Sequence, residues 1–212
     1  MNIKTDKSFK YDYEKLDPAS EEFTFLKKTF MATFFGLYHS FNNFHICKVN
    51  ERNFVKTPVK PTNNLMLFHG TSQKRATSIL KEGFRNSEKG WFGKGVYMTD
   101  CSELAFDYAN SRFNADFSGY VIFVNEVLES EKLQTFTFDR NAMFIRGDLS
   151  TLPKHQFEKH TDNSRPQSTE NDYIVDFEGR RYFKSKIENM QDEFIAEASV
   201  VIPRYLIELK KK

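Results

Sequence analysis

The sequence predicts an α+β domain built around mainly antiparallel sheets, and three observations carry that expectation. Short apolar or alternating runs of strand length recur from residue 44 to residue 209. Helix-period segments flank these runs. The 212 residues suffice for one core, and 23 phenylalanines supply much of it although only 39% of the chain is hydrophobic.

In chain order, residues 1–19 are polar with scattered aromatics, and they are expected to form a surface lead-in to a single domain over 20–212. Ser20 suits a helix N-cap, with Glu21 and Glu22 in the first turn. Phe23, Leu26, Phe30 and Phe34 then recur at helical steps, and Gly36 is placed to end the helix. Phe44 to Asn50 alternates as a strand does, and Pro58 and Pro61 mark a linker over 56–64. Leu65 to Phe68 reads as a short buried strand. A helix follows, with Ser72 as cap, Ala76, Ile79 and Leu80 on one face and Gly83 at its end. Gly93-Lys94-Gly95 leads into a short strand, Val96-Tyr97-Met98.

Ser102 is expected to cap a helix reaching about Arg112, with Leu104, Ala105 and Tyr108 on one side. Gly119 to Val124 is nearly all apolar and is expected to be a central strand. Leu133 to Phe138 alternates. Residues 148–171 are polar, contain Pro153 and Pro166, and predict a long connection, part helix and part flexible. Tyr173 to Phe177, Phe194 to Ala196 and Val200 to Leu209 complete the strands, and Lys210 to Lys212 read as a solvated tail.

The stretch that organises the chain runs from Leu65 to Asp100. His69-Gly70-Thr71 follows a strand, and glycine there lets backbone approach a flat ligand. Tyr97 sits on a neighbouring strand, and the intervening loop can fold over both. Phe68-His69-Gly70-Thr71, Gly83-Phe84-Arg85 and Phe92-Gly93-Lys94-Gly95-Val96-Tyr97-Met98-Thr99-Asp100 together resemble the catalytic domain of the poly(ADP-ribose) polymerase-like ADP-ribosyltransferases, of the diphtheria-toxin-like H-Y-E type. Asp172 to Asp176, Glu193-Phe194-Ile195 and Val201 to Ile207 extend the resemblance to most of residues 20–208.

The resemblance implies an ADP-ribosyltransferase fold, a split β core flanked by helices. The helical regulatory domain that the family's polymerases carry before the transferase fold is not expected here, since few residues precede His69. It further implies that NAD is the co-substrate, that nicotinamide is released, and that ADP-ribose is transferred to an acceptor; single-unit transfer is the expectation, and Glu193 as the site acid leaves chain elongation open. Protein is the expected acceptor, this chain itself included. Nucleic acid is disfavoured by a net charge of only +2. The alternative within the resemblance is a degenerate module that binds NAD or ADP-ribose without transfer.

Cleaving the nicotinamide–ribose bond builds oxocarbenium-like charge that a carboxylate stabilises. By resemblance, His69 bonds a ribose hydroxyl and the Gly70 backbone holds the carboxamide. Tyr97 and Tyr108 sandwich the nicotinamide ring, and Arg85 lies near the adenosine and phosphates. Thr71 either reaches the adenosine ribose or caps the following helix. Ala105 stands where the family often has a serine that bonds the carboxamide. The acid matches Glu193 by its following Phe-Ile, whereas counting back from Pro203 gives Asp192. Neighbours on a strand face opposite ways, so one of the two faces the site. Glu197 is a lesser candidate.

Other classes are excluded by pattern. Cys47 and Cys101 form no Cys-x-x-Cys pair and are expected to be reduced thiols. His155 and His160 lack companion ligands and read as surface residues, so no metal is expected. The glycines from Gly90 to Gly95 precede a strand and lack the dinucleotide order. No signal peptide or membrane span is evident, which predicts a cytoplasmic or nuclear protein and leaves the oligomeric state open.

Overall fold

The structure, a computed structural model, describes residues 8–34, 41–52, 64–88, 94–110, 120–127, 133–139, 159–160, 173–175, 181–183 and 190–211. Eleven strands and three α-helices are described, and the strands pair in the order β1 (Tyr11–Lys15), β2 (Phe41–Glu51), β11 (Val201–Lys211), β5 (Tyr120–Val127), β3 (Leu65–Ser72), β4 (Val96–Thr99), β10 (Met190–Ala196), β6 (Leu133–Asp139), β7 (Lys159–His160), with β9 (Arg181–Phe183) on β3 and β8 (Tyr173–Val175) on β9. All pairings are antiparallel except one between β3 and β9, at Leu65 and Arg181. The α+β expectation holds.

Strand β1 (Tyr11–Lys15) pairs with β2 (Phe41–Glu51). The lead-in is therefore partly structural rather than a surface passenger. Phe9 and Tyr11 are buried against Cys47, Val49, Ala76 and Leu80, because apolar side chains spaced by two reach one face of a strand. Helix α1 (Glu21–Ala32) starts as expected: the Ser20 hydroxyl accepts from the Phe23 N–H at 3.1 Å. Phe23, Leu26 and Phe30 are buried, each burial contributing roughly 1.5–3 kcal/mol.

The helix ends at Ala32, before Gly36, which lies outside the described residues. The cause is a tertiary clasp. Ser102 donates its hydroxyl to the Phe30 carbonyl at 2.6 Å and its N–H to Thr33 Oγ1 at 3.0 Å. Ser102 thus satisfies the end of α1. It is the first residue of α3 (Ser102–Asn110) and not its cap.

Strand β3 (Leu65–Ser72) runs beyond Phe68, because Gly70, Thr71 and Ser72 pair with Ile122, Val121 and Tyr120 of β5 (Tyr120–Val127). β5 is central and buried throughout, between β3 and β11 (Val201–Lys211). Helix α2 (Gln73–Glu82) is capped by Ser72, whose hydroxyl accepts from the Arg75 N–H at 3.4 Å. It closes on Gly83, whose φ of +88° suits glycine and whose N–H reaches the Ile79 carbonyl at 2.7 Å.

The second half of the sheet contains β4 (Val96–Thr99), β10 (Met190–Ala196), β6 (Leu133–Asp139) and β7 (Lys159–His160). The 56–64 linker lies outside the described residues except Asn64, and of 148–171 only β7 is described. β8 (Tyr173–Val175) falls on the expected strand, and β9 (Arg181–Phe183) had no sequence signal.

Three apolar clusters fill the layers. Helices α1 and α3 pack on one face of β3 and β5, through Met66, Phe68, Ile122 and Val124. Helix α2 and β1 cover Val121 and Phe123 on the other face. Leu65, Leu67, Val96, Met98, Phe194 and Ala196 join the two sheet halves. Neither cysteine forms a disulfide, and both are buried. Burial, with the Glu208 charge added, pushes the Cys47 thiol up to about 12, so it stays protonated. No described helix is long and apolar enough to cross a membrane.

Candidate active site

β3 pairs with β5 along its whole length but with β4 only at Phe68 and Thr99. The two strands splay from that point, and the gap opens a cleft of about 710 Å³. That volume lies within the roughly 300–1,000 Å³ usual for small-molecule sites. Its walls carry His69, Gly70, Thr71, Arg85, Tyr97 and Tyr108, all singled out from the sequence, together with Ala105.

His69 stands where β4 leaves β3. Its Nδ1 lies 2.7 Å from the Tyr97 carbonyl, which can only accept, so Nδ1 carries the proton. Burial lowers the His69 pKa from its usual 6.5, the Tyr97 hydrogen bond opposes that shift, and the Arg75 charge adds to it. The ring is neutral at pH 7, and its Nε2 is left as an acceptor. Phe84 packs edge-on against the imidazole, ring centroids 5.2 Å apart, and fixes its plane.

Gly70 is a strand residue, not a turn. A Cβ there would stand 1.5 Å from the Ala105 carbonyl oxygen, so its absence lets α3 sit directly on β3. That close approach brings Ala105 and Tyr108, one helical turn apart, to the cleft wall. Tyr108 is 45% exposed, unlike a core aromatic. Tyr97 is half-buried beside it in the wall. Ser72 supplies the cap of α2, so the capping role open to Thr71 falls to its neighbour, and Thr71 lines the cleft. Arg85 reaches the rim, 78% exposed and paired with Glu82.

Position 193 on β10 stands opposite Thr99, and Ile195 stands opposite Tyr97. Partners across antiparallel strands share a face, so 193 belongs to the Tyr97 face by register. Position 192 goes with Phe194, opposite Met98, and both of those are buried in the apolar cluster. The side chains of Asp192 and Glu193 lie outside the described residues. Glu197 follows β10, is exposed, and accepts from Ser199 Oγ at 3.4 Å, away from the cleft wall.

Arg75, Ser78 and Ile79 also line the cleft, and sequence reasoning missed them. Ser78 and Ile79 follow Arg75 by three and four positions on α2, a spacing legible in the sequence, where Ile79 reads only as part of an apolar helix face. No group of His, Cys, Asp and Glu that would hold a metal occurs among the described residues. The family model described as poly(ADP-ribose) polymerase catalytic domain matches residues 20–211. A search of curated proteins finds no match.

Proposed function

The chain belongs to the poly(ADP-ribose) polymerase catalytic-domain family, and from that premise we propose that it cleaves NAD and transfers single ADP-ribose units to a protein acceptor, itself included. One observation carries the proposal. His69 and Tyr97, twenty-eight positions apart, meet through a hydrogen bond from the imidazole to the Tyr97 carbonyl in the wall of one cleft that also holds Gly70 and Tyr108.

The nicotinamide ring enters between Tyr97 and Tyr108, whose faces suit stacking. The Gly70 backbone takes the carboxamide. Ala105 offers no hydroxyl there, so one hydrogen bond fewer holds the leaving group. The neutral His69 accepts a ribose hydroxyl proton at Nε2 and orients the sugar. Thr71 and Arg85 attend the adenosine half. The bond between nicotinamide nitrogen and the ribose carbon breaks, and its electron pair leaves with nicotinamide. Glu193 stabilises the cationic sugar while an acceptor oxygen or nitrogen attacks it and loses a proton. The register favours Glu193 over Asp192 for this role.

Nicotinamide release from NAD tests the proposal. Wild type and Asp192→Asn are expected to release it, and Glu193→Gln to release it roughly 100-fold more slowly or worse. Thermal stabilisation by NAD with no nicotinamide released by wild type would instead establish a binding module. Label carried to added RNA or DNA rather than to protein would move the acceptor class.

A further inference from the structure

We infer that Arg75 is a second donor-binding cation, holding the diphosphate of NAD at the α2 end of the cleft; this rests on the proposed activity and adds a residue outside the motif that suggested it. The cleft has two chemically distinct ends. At one, Gly70, Ala105 and Tyr108 bring β3 and α3 together around a space for a flat ring. At the other, Arg75, Ser78 and Ile79 present one face of α2, because residues three and four apart are neighbours on a helix. His69 lies between them on β3, beside the turn into α2.

The charge of the walls fits the same orientation. Among the described residues lining the cleft there are two arginines and no carboxylate. A dinucleotide brings two negative charges in its diphosphate, and a planar guanidinium meets phosphate oxygens with two parallel hydrogen bonds. Arg85, the arginine singled out from the sequence, is 78% exposed and already engages Glu82, one turn before it. Arg75 forms no ion pair among the described residues. Its charge is felt at His69, where it disfavours the imidazolium. Arg75 and His69 line the same cleft, which puts the guanidinium on the path of the phosphate next to a His69-bound ribose. Burial does most to keep His69 neutral, and this charge adds to it, leaving Nε2 available to the ribose. Arg75 would thus serve the donor twice, through contact with phosphate and through the protonation state of its neighbour.

Titration of the full chain with ADP-ribose, and separately with nicotinamide, tests this. Arg75→Ala is expected to weaken ADP-ribose binding roughly tenfold or more and to leave nicotinamide binding unchanged, with Arg75→Lys between. Lys74→Ala, an exposed residue of the same turn that does not line the cleft, is expected to change neither. In nicotinamide release, Arg75→Ala should raise KM for NAD with kcat held within about twofold, the signature of binding shared by ground and transition states. Equal losses for ADP-ribose and nicotinamide, or ADP-ribose binding as tight as wild type, would overturn the assignment. If wild type binds neither NAD nor ADP-ribose, the proposed activity falls and takes the assignment with it, an outcome distinct from tight binding that Arg75→Ala leaves untouched.

Discussion

The two edges of β3 are built differently, and the contrast explains where the cleft lies. Toward β5 the strand makes eight consecutive residue pairs, from Leu65↔Val127 to Ser72↔Tyr120, and the flanking faces are sealed by α1, α3 and α2. Toward β4 it makes a single pair and then parts. Continuous pairing satisfies the backbone and holds a core, whereas the splayed edge opens the interior to a ligand at the cost of ladder hydrogen bonds. The same strand therefore presents a structural edge and a binding edge, and changes on the two should fail in different ways.

Gly70 belongs to both edges, and its replacement should have the largest effect. Gly70→Val forces a side chain into the Ala105 carbonyl and should destabilise the fold by at least about 3 kcal/mol, seen in urea unfolding, while abolishing NAD cleavage. On the binding edge, His69→Ala should slow nicotinamide release roughly 100-fold, or about 2.7 kcal/mol, yet shift unfolding by no more than about 1 kcal/mol. On the paired side, Arg204→Ala leaves the buried Glu126 carboxylate with Asn64 as its partner among the described residues; a loss of about 2 kcal/mol in stability is expected, with activity per folded molecule retained. Tyr205→Phe removes the hydrogen bond to Glu22 at 2.8 Å and should cost about 1 kcal/mol without affecting catalysis.

The smallest effect is one of pH. Because the folded His69 pKa lies below its ordinary 6.5, the unfolded chain binds more protons between the two values. Stability from the neutral imidazole is complete above about 6.5 and declines as pH falls through the folded value. ADP-ribose affinity should fall over the same window, since protonation removes the Nε2 acceptor. His69→Gln should flatten both profiles, and an unchanged profile in that variant would assign the pH dependence elsewhere.

Local signals placed most of this architecture. Ser20, Ser72 and Gly83 mark helix ends through bonds to residues three or four away, so their roles are readable without the fold. Ser102 misleads for the opposite reason: its partners, Phe30 and Thr33, lie about seventy residues earlier, and that clasp rather than a cap uses its hydroxyl. Phe9 and Tyr11 looked like surface aromatics because their burial depends on β2 and α2.

From its residues alone, the chain determined an α+β domain, the bounds of its helices to within a few positions, and a His-Gly-Thr and tyrosine motif that names its family, because these depend on short-range periodicity and spacing. Tertiary structure decided what neither can encode singly: that β3 parts from β4 after one pair, that Gly70 is small so that α3 can lie on the strand, and that Arg75 rather than only Arg85 borders the cleft. Those outcomes arise where elements distant in sequence compete for the same space and the same charge.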